Sequence, residues 1–167
     1  MGVNVNDARC VSGDATPPQP LPIEGRGTVA AHSRFPPMPT ARKSAHMILG
    51  WKLDPDQRAE LLRQFPPRYR NVIADHVTLR SGVARDAPLP EAARAEIVGR
   101  ADDGAGVEAM VVRLDGATGR PDGSTFHITW SLAEGRRAKE SNDVIAARGW
   151  VDFDLPMPIL LTPARWP

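Results

Sequence analysis

Cysteine is nearly missing from this chain. Cys10 stands alone, which rules out an internal disulfide framework and any zinc site built from several thiolates. Excess charge of either sign is missing as well. Lys and Arg total 21 against 20 Asp and Glu, leaving +1. That balance excludes attachment to duplex DNA by gross electrostatics, so a nucleic-acid ligand needs a local site. No apolar run approaches the ~18 residues of a membrane span. The N-terminus lacks the basic-then-apolar pattern of a signal peptide. The expected setting is a reducing cytoplasm with no membrane partner.

Proline and glycine are plentiful, at 17 and 14 residues, and predict many turns. Pro17, Pro18, Pro20, Pro22, Pro36, Pro37 and Pro39 crowd the first part of the chain. No helical or strand period runs through them, and the apolar residues there are too sparse to offset the entropy of ordering. Residues 1–43 therefore read as a disordered or loosely docked arm. Residues 44–167 suffice for one compact domain.

Within that domain Met47, Leu49, Trp51 and Leu53 alternate with less apolar residues, as on a strand. Asp54, Pro55 and Gln57 supply a cap, a first helical position and a capping box for a short helix carrying Leu61, Leu62 and Phe65. Pro66-Pro67 ends it. A strand is expected over 71–81, and a short helix over 88–94. Further strands are expected at Ile97-Val98, 107–114, 125–132 and 158–162. Asp102-Asp103-Gly104 turns the chain between two of them. Ser141-Asn142-Asp143 is expected to cap a helix ending at Gly149. This order suits an α+β domain with a mostly antiparallel sheet.

The chemistry is concentrated in two echoes: His76-Val77-Thr78-Leu79 and His127-Ile128-Thr129-Trp130. Side chains alternate across a strand, so His76 and Thr78 share one face, with Arg80 in register. Val77 and Leu79 point into the core. By the same parity His127, Thr129 and Ser131 share a face, with Ile128, Trp130 and Leu132 buried. One His-x-Thr is ordinarily a half-buried structural histidine. Two copies, using two of the four histidines in one apolar/polar alternation, point to function. His32, in the arm, and His46, on the polar face of the first strand, take ordinary surface roles.

Two imidazoles across a cleft make an acid–base pair, because histidine holds either protonation state near pH 7. Threonine hydroxyls between them can donate to an anion, and Arg80 can add charge. That constellation suits a phosphodiester and needs neither metal nor cofactor. Which histidine is acid and which is base stays open. A metal site on the two histidines lacks a third ligand at recognisable spacing. A serine hydrolase lacks its Gly-x-Ser-x-Gly elbow, and no phosphate-cradling glycine loop with lysine is present.

The paired motifs resemble the two-histidine (2H) phosphoesterase superfamily, and within it the small RNA-repair-like branch known as Swiss Army Knife 2H domains. The similarity covers residues 45–150. It includes the leading strand, the stretch 120–132 and Glu140-Ser141-Asn142-Asp143-Val144-Ile145. The resemblance implies a bilobal fold: two small, mostly antiparallel sheets around a central groove, with short flanking helices and one motif per lobe. It implies metal-independent hydrolysis of 2′,3′-cyclic phosphate RNA ends or related cyclic nucleotides. The catalytic roles fall on His76 and His127, and phosphate binding falls on Thr78 and Thr129. The motifs lie closer together than in the larger RNA-ligase-like members, which implies a trimmed scaffold.

Further candidate substrate contacts are Arg80, Ser131, Tyr69, Arg137 and Lys139. Tyr69 precedes the first motif and can stack on a base. Arg137 and Lys139 follow the second and can hold an oligonucleotide backbone. Asp75 adjoins His76 but is expected to face away from it, and Asn142 and Asp143 are better explained as helix caps. The expected ligand is an RNA 3′ end or a cyclic (oligo)nucleotide. The alternatives are a non-catalytic module binding the same ligands and an RNA end-joining ligase with the same site.

Overall fold

A computed structural model describes residues 46–167. The expected Pro-rich arm, with Cys10 and His32, lies outside these residues. The first strand, β1 (Met47–Leu53), buries Leu49, Trp51 and Leu53 as its alternation requires. Helix α1 (Pro55–Gln64) starts where Asp54 Oδ1 accepts the Gln57 N–H at 2.9 Å. The expected capping box is only half formed. The Asp54 N–H donates to the Leu160 carbonyl instead, leaving the Gln57 side chain to bond Pro158 O and Leu160 N. Leu61 is the buried anchor of α1, and Phe65 N–H closes the helix on Leu61 O.

The strand expected over 71–81 is two strands in different sheets. These are β2 (Asn71–Val72) and β3 (His76–Val83). Between them Ala74 takes a left-handed backbone, φ 43°, which costs an L-residue about 1–2 kcal/mol. Surrounding bonds over-determine it. The Ala74 N–H donates to Thr129 O, Leu53 N–H donates to Asp75 O, and the Arg58 guanidinium holds the Ile73 and Ala74 carbonyls at 2.9 and 2.7 Å.

Residues 88–94 form no helix, contrary to expectation. Pro88 and Pro90 bias their preceding residues away from helical geometry. The Glu91 carbonyl is also taken by the Trp51 indole at 2.8 Å. Next come β4 (Ala95–Asp102), β5 (Val107–Leu114) and β6 (His127–Leu132). Asp102 and Asp103 make the expected turn by accepting backbone N–H groups with their own side chains. Helix α2 (Glu140–Arg148) is preceded by Lys139 and has no side-chain cap, so the expected capping by Ser141, Asn142 and Asp143 is not made. It ends at Gly149, φ 69°. The chain closes with β7 (Val151–Ile159) and β8 (Leu161–Trp166), where one short strand was expected.

The architecture is α+β with two antiparallel sheets, ordered β3-β1-β8 and β2-β6-β5-β4-β7. One core joins them. Trp51, Leu53 and Val77 of the smaller sheet meet Ile97, Met110, Val112, Ile128 and Trp130 of the larger, with Leu61 of α1. Each such side chain contributes about 1.5–3 kcal/mol of burial. Helix α2 covers the opposite face of the larger sheet, setting Val144 and Ile145 among Val98, Ala109, Val111, Val107 and Leu132. Strands β3 and β6 touch where the sheets meet, so the two motif strands are neighbours.

Candidate active site

On β3, Val77 is fully buried and fixes the outward face of His76 and Thr78. Gly50 of β1 lies opposite Thr78. A Cβ at Gly50 would meet the Val77 carbonyl oxygen at 2.1 Å, so only glycine lets the two backbones approach this closely. Just beyond, the pairing slips: Gly50 faces Thr78 but Leu49 faces Arg80, leaving Leu79 as an inserted residue. Such a bulge reverses side-chain parity past it. Ser81 therefore reaches the groove face, and Arg80 is exposed away from it.

Strand β6 repeats the device. Ile128 and Trp130 enter the core, while His127 and Thr129 take the other face. Ala109 pairs Thr129 but Glu108 pairs Ser131, so Trp130 is the inserted residue. Ser131 is thereby turned away from the groove. Its hydroxyl donates to the buried Glu108 carboxylate and accepts the Tyr69 N–H at 3.1 Å. The expected groove roles of Arg80 and Ser131 are therefore corrected. Tyr69 is likewise tied elsewhere, its hydroxyl donating to Asp102 at 2.7 Å. Arg137 is exposed outside the groove, its N–H bonded to Glu140. Lys139 does line it.

The groove has a volume of about 470 Å³ and brings together His76, Thr78, His127, Thr129, Arg120 and Lys139. The two imidazoles have different supports. His76 Nδ1 lies 2.9 Å from Asp75 Oδ2, and Asp75 is also paired with Lys52. Asp75 thus faces His76 after all. It precedes the strand, on the left-handed turn at Ala74, where strand parity does not apply. The Trp166 ring packs on His76 with centroids 4.6 Å apart, and Lys52 Nζ sits 4.7 Å from the same indole. Burial pushes the His76 pKa down, with Asp75 opposing and Lys52 adding to the fall. Burial alone would raise the Asp75 carboxyl, but Lys52 and His76 outweigh it and hold it below its usual range.

His127 Nδ1 lies 2.8 Å from the Thr125 carbonyl oxygen. A carbonyl only accepts, so Nδ1 carries the proton and the neutral ring offers Nε2 as a lone pair. Burial first, then the charges of Arg120 and His76, push the His127 pKa down to about 4, against the opposing Thr125 carbonyl. Thr129 Oγ1 donates to Ala138 O at 3.2 Å and lies 3.0 Å from Ser141 Oγ, itself fully buried.

Two groove residues have roles that their sequence positions do not announce. Arg120 precedes a Pro-Asp-Gly turn and reads in sequence only as part of that turn. In the fold it is 9% exposed and spans the groove walls, donating to Thr78 O at 3.3 Å and to Asn142 Oδ1. Asn142, expected as a cap, is instead the acceptor that holds this guanidinium. Burial lowers the Arg120 pKa, partly offset by Asp122.

Among the described residues no three His, Cys, Asp or Glu side chains gather as a metal set, and no helix is long and apolar enough to cross a membrane. Two strand-borne His-x-Thr pairs line the groove, which also holds a buried guanidinium. No known protein family, curated protein or solved structure matches the chain.

Proposed function

We propose that this protein is a 2H-type phosphodiesterase that hydrolyses 2′,3′-cyclic phosphate RNA ends or related cyclic nucleotides. The observation that carries the reading is the convergence of His76, Thr78, His127 and Thr129 on one groove with unlike partners behind the two imidazoles. His127, neutral with Nε2 free, is the general base. It takes a proton from water as the water oxygen attacks phosphorus. His76, with the Asp75 carboxylate behind it, is the better proton holder and acts as the general acid. It gives its proton to the departing ribose oxygen as the P–O bond breaks. The product is a phosphomonoester and a free hydroxyl. Thr78 and Arg120 face the non-bridging oxygens, where charge-assisted donors stabilise the developing negative charge. The chain's own residues supply each proton transfer in this scheme.

The test is a panel of 2′,3′-cyclic mononucleotides, an RNA oligomer with a cyclic end, and cyclic oligonucleotides, each incubated in EDTA. Turnover of at least one member is expected. Tight binding of a cyclic phosphate without product would replace this reading with that of a binding module.

A further inference from the structure

We propose that Arg120 is the phosphate-recognition group of the groove, with Asn142 the positioning residue that turns its guanidinium. The inference rests on the phosphodiesterase reading and deepens it by assigning the group that holds the anion.

Arg120 is about nine-tenths buried and lines the groove. Among the described residues no carboxylate lies within ion-pairing distance of it. Its Nε–H is buried without a hydrogen-bond partner, while its Nη atoms reach Thr78 O and Asn142 Oδ1. Asp122 also lines the groove, but its Oδ1 is taken by the Ser124 N–H and hydroxyl at 3.0 and 2.5 Å. A guanidinium stays charged even where burial lowers its pKa, and a buried charge with no partner is costly unless a ligand supplies one. The planar fork matches two oxygens of a phosphate.

Thr129, the donor expected from sequence, has its hydroxyl engaged with Ala138 and Ser141. Arg120 and the rim cation Lys139 are the cationic side chains among the groove-lining residues besides the histidines. Two positive charges favour a dianionic phosphomonoester over a monoanionic diester, so the hydrolysis product competes with substrate.

Inorganic phosphate titrated into the full chain tests this by nitrogen-15 NMR. The Arg120 Nε–H signal is assigned by through-bond correlation in the wild-type protein, so the reading needs no variant. A saturable shift of that signal is expected. Calorimetry should then show phosphate binding weakened about tenfold or more in Arg120→Lys and more mildly in Asn142→Ala, with Arg80→Ala unchanged. An Arg120 signal that stays fixed, or binding unaltered in a folded Arg120→Lys, overturns the proposal. Saturation at Arg120 with no hydrolysis anywhere in the substrate panel would uphold the anion site and remove the phosphodiesterase reading. Hydrolysis with an unmoved Arg120 signal would do the reverse.

Discussion

Asp75 Oδ2 lies 2.9 Å from His76 Nδ1, whereas the corresponding atom of His127 meets a neutral carbonyl. This asymmetry separates two imidazoles that sequence leaves equivalent. Asp75→Asn removes the charge that favours His76 protonation. The descending alkaline limb of the kcat/KM profile should therefore move to lower pH. The acidic limb, set by His127 near 4, should stay. An alkaline limb that does not move would assign the acid role elsewhere.

His127 also links the groove to acid stability. Its pKa is lowered to about 4 in the fold, against 6.5 ordinarily. As pH falls, the unfolded chain takes up this proton first. The stabilisation is complete above pH 6.5 and is lost between 6.5 and 4, by about 3 kcal/mol for a shift of that size. Urea unfolding at pH 7, 5.5 and 4 should show this decline, and His127→Gln should flatten it. Equal slopes in the two proteins would mean that His127 is not buried as described.

Gly50→Ala tests the backbone approach beneath the first motif. The new methyl group meets the Val77 carbonyl, so the β1–β3 pairing has to open. A loss of about 2–4 kcal/mol is expected, read as a clear drop in Tm. An unchanged Tm would show that the two strands sit farther apart at this point.

Local alternation and capping made several elements legible in sequence: β1, α1 with Asp54 and Pro55, and the outward faces of His76, Thr78, His127 and Thr129. The rest depended on tertiary contacts. Nothing about Ala74 as a residue type announces a left-handed backbone, yet that turn divides one expected strand between two sheets and brings Asp75 to His76. Leu79 and Trp130 as residue types announce no bulge, and the glycine at the first slip, Gly50, lies on the partner strand; the two bulges move Arg80 and Ser131 off the groove. Pro156 and Pro158 hid β7, because proline is tolerated mainly on edge strands, and β7 is an edge. Arg120 looked like a turn residue because its partners, Thr78 and Asn142, are distant in sequence.

In the proposed reaction the two histidines carry the proton transfers. The most direct measurement is hydrolysis of 2′,3′-cyclic phosphate substrates by wild type, His76→Ala and His127→Ala in EDTA, with folding checked by circular dichroism. Each substitution should lower turnover by ~10²-fold or more while the fold is retained. Full activity in either folded variant would contradict that mechanism.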